Sequence, residues 1–250
     1  VAEHPFVMFD RVHKRIGGQT IIREISLEVE RGMTVALCGG NGAGKSTLLR
    51  MLAGVLKPTS GTIRIDGLEQ RIDRLKYNRL FGYMPDDYNF TYPLSARETL
   101  RFWARLKGQD AARVEQLMEM VGLEHAGSKP VSAFSKGMRQ RVLFAQAMLD
   151  DPPLIIMDEP TNGLDPYWIE SFVRLVRQAS ASGKTVLFST HMLHVAEALA
   201  DRIVFLQGGQ IIRQLDREQL AGLGPGGLHA AFGEWFGLAS AAEQPPGDSF

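Results

Sequence analysis

Cysteine is almost missing from this chain of 250 residues: Cys38 stands alone, which excludes a disulfide framework within it. Its place at the end of an apolar run suits a small buried hydrophobe. An excess of either charge is also missing, since 28 basic residues meet 28 acidic ones and no stripe of lysine and arginine forms. That removes the electrostatic footprint of a nucleic-acid binder, so no nucleic-acid partner is expected, and it predicts weak long-range steering. No apolar run approaches the roughly 20 residues that span a bilayer. The opening VAEHPFVMFD lacks the shape of a signal peptide, and no internal repeat is found. These absences predict a cytoplasmic protein, long enough to bury a sizeable core as one α/β unit, with or without an inserted lobe.

What the chain does contain is a phosphate cradle. Residues 35–49, VALCGGNGAGKSTLL, join a short apolar strand, a glycine loop and the start of a helix. Gly39, Gly44, Lys45 and Ser46 fill the spacing G-x-x-x-x-G-K-[ST], with Asn41, Gly42 and Ala43 inside the loop. Backbone N–H groups of such a loop converge on a polyphosphate while the helix points its positive end at it. In this arrangement Lys45 reaches the β and γ phosphates, Ser46 offers its hydroxyl to Mg²⁺ and Thr47 hydrogen-bonds the α phosphate.

Around that cradle the pattern is of strands and helices in alternation. Ile25, Leu27 and Val29 alternate with Ser26, Glu28 and Glu30, the period of a half-buried strand in an antiparallel opening. Gly54 is placed to stop the first helix, and Pro58 to Gly61 supply a turn before a second alternating strand around Ile63 and Ile65. Residues 88–149 read as a mostly helical inserted lobe, with Val114, Leu117, Met118 and Val121 on one face. Two fully apolar strands follow, 154–157 ending in Asp158-Glu159 and 185–188 ending in Ser189-Thr190-His191, with helices around 167–179 and 193–199. Such strands suit a sheet covered on both faces, whose ligands gather at the carboxyl ends. Residues 203–212 read as a hairpin. Beyond Gly222 the chain turns rich in Gly, Pro and Ala and ends EQPPGDSF, which predicts a partly flexible extension (222–250) with little apolar burial. Within it Leu228, Phe232, Trp235 and Phe236 have helical spacing, and a short helix docked on the body or a partner is favoured over a membrane-surface helix, which would want basic residues.

Chemistry is assigned next. Asp158 is expected to hold Mg²⁺ through water, and Glu159 to orient and polarise the water that attacks a γ phosphate. His191, ending the next strand, is expected to donate to the same phosphate.

With these motifs in order, residues 6–215 resemble the nucleotide-binding subunits of ABC transporters. The segment FSKGMRQR, 134–141, is similar to that family's LSGGQ signature: Ser135 and Gly137 match, whereas Lys136 and Met138 depart. Ser135 is placed as an N-cap, so its hydroxyl and the helix dipole address a γ phosphate. The segment DEPTNGLD, 158–165, resembles the acidic strand end and dimer-contact loop, with Asn162 where serine is usual. His191 matches the switch histidine. The form SKGMRQR resembles the type-2 exporter branch, whose ATPases pair with separate membrane subunits.

The resemblance implies an α/β P-loop NTPase, a RecA-like mixed sheet flanked by helices, with an N-terminal antiparallel β subdomain and an inserted helical lobe at about 88–150. Residues 1–221 then form the ATP-binding domain. It also implies ATP and Mg²⁺ as ligands, and a head-to-tail homodimer, or a heterodimer with a related chain, sealing nucleotide between one phosphate loop and the other copy's signature. The membrane permease subunits come from other chains, which puts the protein peripherally on the cytoplasmic face of the inner membrane. Two other readings stand beside this one, a soluble ABC ATPase not coupled to transport and a non-hydrolysing regulatory module. Intact Lys45, Asp158, Glu159 and His191 argue against the second.

Two departures carry expectations of their own. Ile16 takes the place of an adenine-stacking tyrosine and has no π face, which predicts that GTP is used within about tenfold of ATP; Phe9 and His13 are the candidate substitute rings. Asp86 takes the place of a glutamine, with two roles open to it, metal coordination through water or a hinge to the lobe. Tyr88, Phe90 and Tyr92 follow, either as a groove for a short cytoplasmic helix of a membrane subunit or as packing for the lobe.

Overall fold

Two long strands, β1 (Val7–Ile16) and β2 (Gln19–Val29), pair antiparallel at the start of the chain. The computed structural model describes residues 4–86, 88, 90, 92–224 and 226–236. The alternation expected of β2 holds: Ile25, Leu27 and Val29 are buried, while Ser26, Glu28 and Glu30 are exposed. Next comes β3 (Thr34–Cys38), buried at every residue, which runs through the phosphate loop into α1 (Lys45–Leu52). Then β4 (Ser60–Ile65) pairs with β1 and completes a three-stranded sheet of order β2-β1-β4.

After α2 (Arg74–Arg79) and β5 (Phe81–Met84), the lobe is built from α3 (Ala96–Leu106), α4 (Ala111–Met120) and α5 (Lys136–Ala147). Each lobe helix starts at an acceptor side chain that takes a first-turn N–H: Ser95 in a capping box with Glu98, then Asp110, then Ser135. Caps of this kind contribute about 1 kcal/mol apiece. Val114, Leu117, Met118 and Val121 are buried, as their spacing predicts.

The core resumes with β6 (Leu154–Met157), α6 (Pro166–Ala181), β7 (Thr185–Thr190) and α7 (Leu193–Leu199), then a hairpin of β8 (Arg202–Gln207) and β9 (Gln210–Asp216). Strand β7 runs two residues past its apolar stretch, so Ser189 and Thr190 lie inside it, both buried. The six-stranded sheet has the order β5-β6-β7-β3-β8-β9, with only β9 antiparallel. Its two faces are separated by alternation. Val35 and Leu37 join the core around α1 and the small sheet, while Ala36 and Cys38 join the core that contains the lobe and α6. Burial pushes the Cys38 thiol up to about 12, in keeping with a packing residue.

Past α8 (Arg217–Gly222), the helix α9 (Gly227–Trp235) is the short docked helix that the spacing of its apolar residues predicts. The glycine-rich composition predicts little apolar burial, yet Leu228 is buried, and Phe232, Trp235 and Phe236 surround Phe205 of β8 with ring centroids 5.3–6.4 Å away. Four apolar side chains at helical spacing outweigh the surrounding composition because Leu228 is buried in the core and the three aromatics meet one large ring. The helix docks on the body of the protein. EQPPGDSF lies outside the described residues.

Candidate functional site

The parallel strands bring their carboxyl ends together beside the phosphate loop, and the site follows from what stands at each end. Gly39 follows β3 with φ of 152°, where a Cβ would run into the carbonyl of Leu206. Gly44 precedes α1 with φ of 104° and gives it no side-chain cap. First-turn N–H groups of α1 therefore remain available to an anion. Loop residues 40–47 line one wall of a cavity of about 630 Å³, closed by Ile21, Asp86, Glu159, Asn162 and His191.

At the centre stands Glu159, buried and held on both carboxylate oxygens. Lys45 Nζ lies 3.3 Å from Oε1, and His191 Nδ1 lies 2.8 Å from Oε2. Lys45 also donates to the Gly39 carbonyl at 2.7 Å. Because Nδ1 of His191 is engaged by Glu159, Nε2 is the ring nitrogen left to face a ligand. Glu159 adopts φ of 45°, a left-handed conformation that costs a non-glycine residue roughly 1–2 kcal/mol. Two contacts hold it there: its N–H donates to Ser189 Oγ at 2.8 Å, and its carbonyl accepts from the Asn162 N–H at 3.0 Å.

Asp158 turns the opposite way, as neighbouring residues at a strand end do. Its Oδ1 accepts from Ser46 Oγ at 2.8 Å and from Ser189 Oγ at 2.7 Å. Its Oδ2 is buried without a hydrogen-bond partner among the described residues. A buried, unpartnered carboxylate oxygen beside a serine hydroxyl fits a magnesium ion, which takes one or two protein ligands and fills its remaining positions with water and phosphate oxygens. Asp86 is placed differently. Its carboxylate accepts from Asn162 Nδ2 at 3.3 Å, and its backbone carbonyl accepts from Gln140 Nε2 at 3.1 Å. Burial raises the Asp86 carboxyl above its ordinary pKa, and the Asn162 amide offsets part of that rise.

The loop residues Asn41, Gly42, Ala43, Lys45, Ser46 and Thr47 thus share one cavity with Glu159, His191 and Asp86. Ser135 does not line it: exposed at the start of α5, its Oγ accepts from the Met138 N–H at 3.3 Å. Gly137 is buried beneath the ring of Trp168. Neither Phe9 nor His13 lines the cavity, and Phe9 is buried in the small sheet's core, so it is ruled out as a substitute for a stacking ring. Ile16 is 47% exposed. Of the three aromatics after Asp86, Phe90 packs against the lobe core and meets Tyr88 edge-on at 4.9 Å, while Tyr92 is 75% exposed. Ser189 is the residue that sequence reasoning passed over. Its position at a polar strand end next to His191 was the available signal.

Known proteins share the family and the fold. The family model described as ABC transporter matches residues 22–162. The chain is 35% identical to the Nod factor export ATP-binding protein I of Ralstonia nicotianae, over 86% of this chain and 68% of that one. Among solved structures, an ATP binding subunit of an ABC transporter superposes with a TM-score of 0.82 at 32% identity, covering 92% of this chain and 99% of its own. The dimeric post-hydrolysis state of the ATP-binding cassette MJ0796 bound to ADP and Pi superposes with a TM-score of 0.76 at 28% identity, covering 84% and 98%.

Proposed function

Because the chain belongs to the ABC transporter family, we propose that it binds ATP with Mg²⁺ in the phosphate-loop cavity, pairs head to tail with a second copy or a related chain, and hydrolyses ATP to drive export through separate membrane subunits. The observation that carries this reading is the Glu159 carboxylate suspended between Lys45 and His191 in the wall of that cavity.

A triphosphate lying on the loop competes for the Lys45 ammonium and draws it off Glu159. The freed carboxylate then takes the proton of a water whose oxygen attacks the γ phosphorus, as the bond to the β-bridging oxygen breaks and ADP leaves. His191 Nε2 donates to the γ-phosphoryl oxygens and stabilises the charge that builds there. Magnesium, held by Ser46 and Asp158, would neutralise phosphate charge. Ser135 reaches a phosphate only across an interface, which is why a second polypeptide is part of the proposal.

The cleft between the core and the lobe supports a membrane-subunit seat. Val55, Arg74, Tyr83, Trp103 and Lys107 line a cavity of about 320 Å³, with Phe102 and Leu106 exposed on the neighbouring helix. Among the described residues no helix is long and apolar enough to cross a membrane. As an ATP-binding subunit of this family, the chain would act peripherally, on the cytoplasmic face of the inner membrane. The test is phosphate release by the purified chain, alone and with membranes carrying its co-purifying partner. Stimulation by the partner is expected. A rate indifferent to membranes would favour a soluble ATPase, and the absence of ATP turnover would end the proposal.

A further inference from the structure

Asp86 and Asn162 lie 76 positions apart, yet they share a side-chain hydrogen bond of 3.3 Å in a half-buried setting. Their neighbours give that bond a direction of action. Asn162 also donates its backbone N–H to the carbonyl of Glu159, so it belongs to the tight turn that keeps Glu159 in its left-handed conformation. Asp86, for its part, follows β5 and receives Gln140 Nε2 on its backbone carbonyl. Gln140 is buried one turn into α5, the helix that Ser135 begins. The pair also stands where two cavities meet, lining both the phosphate-loop cavity and a second one of about 550 Å³ bounded by Tyr88, Phe90, Lys136 and Arg139.

We infer that Asp86 and Asn162 form a positioning latch: Asp86 acts on hydrolysis through the Asn162 amide, holding the turn of Glu159 and tying it to α5, rather than as a ligand of metal or phosphate. The chemistry separates these roles. A carboxylate and a neutral carboxamide both present an sp² oxygen that accepts from Asn162, whereas only the carboxylate brings charge to a cation. An alanine offers neither.

This inference rests on the proposed ATP hydrolysis, so its test reads both turnover and structure, in the full chain. Asp86→Ala and Asn162→Ala should each lower kcat about tenfold with KM for ATP within about twofold, the pattern of a mispositioned group rather than lost binding. The double variant should be no worse than the more impaired single one, because both remove the same contact. Asp86→Asn should restore kcat to within about twofold of the wild type. Independently of turnover, the Asn162 side-chain amide resonance, assigned by its loss in Asn162→Ala, should move in Asp86→Ala and keep its place in Asp86→Asn. Additive losses, or an Asp86→Asn variant as impaired as Asp86→Ala, would overturn the latch. So would an Asn162 resonance indifferent to Asp86→Ala. A latch seen in the spectra of a chain that turns over no ATP would instead strike the hydrolysis reading.

Discussion

Helices α1 and α5 both begin at positions suited to a phosphate, and the fold treats the two beginnings in opposite ways. At α1 the preceding residue is Gly44, no side chain caps the helix, and strand ends from elsewhere in the chain bring Glu159, His191 and Asp86 to the same cavity. At α5 the preceding residue is Ser135, which spends its hydroxyl on the Met138 N–H and stands exposed outside that cavity. One end is a receptor assembled in advance. The other is self-satisfied and useful only once something is brought to it. The difference teaches that, under the proposed chemistry, the loop end is complete within one copy and the serine end needs a phosphate delivered from outside it.

The most severe test of the contrast strikes the assembled end. Glu159→Gln should cut phosphate release by about 10² to 10⁴-fold, the usual contribution of a general base, while ATP still binds and the paired state accumulates in size-exclusion chromatography. Turnover near the wild-type rate would remove Glu159 from that role. Second in size, Lys45→Ala should weaken ATP binding roughly ten- to a hundredfold in equilibrium titration, as expected for a lost charge-assisted hydrogen bond.

Weaker effects belong to the other end. Ser135→Ala should cost about 1 kcal/mol of stability through the lost cap, with ATP affinity of the separate copies unchanged. The sharper version mixes Ser135→Ala with Glu159→Gln copies. One of the two sites in such a pair keeps an intact loop and an intact facing serine, so mixing should yield hydrolysis that neither variant shows alone. A mixture as inactive as its parts would mean that both functions are exercised within one copy. Smallest of all, GTP should turn over within about tenfold of ATP, since the exposed Ile16 offers no ring to stack on the base. A strong preference for ATP in steady-state rates would show that another group reads the base.

Much of the receptor end was legible because its chemistry is local. Glycine spacing, an apolar strand and a helix start sit within fifteen consecutive residues, and Asp158 and His191 were marked by ending apolar strands. The alternation of β2 and the spacing in α4 were equally plain, since burial follows periodicity wherever one face meets a core. What escaped was contact between distant segments. Nothing in the string says that Ser189 bridges Asp158 and Glu159, that Lys45 pairs with Glu159, or that Asp86 meets Asn162. At α9 composition and spacing pointed different ways, and what decides for the spacing is Phe205, more than twenty residues upstream.

The left-handed backbone at Glu159 has a consequence for how this protein tolerates change. Glycine would sit there without the steric penalty of roughly 1–2 kcal/mol, but it would also strip the buried Lys45 ammonium of its carboxylate, a loss of about 3–5 kcal/mol. Glu159→Gly should therefore melt below the parent although its backbone is relaxed. The strained backbone and the ion pair are thus bound to each other at one residue: the side chain that suits the turn least is the one whose charge the surrounding groups cannot do without.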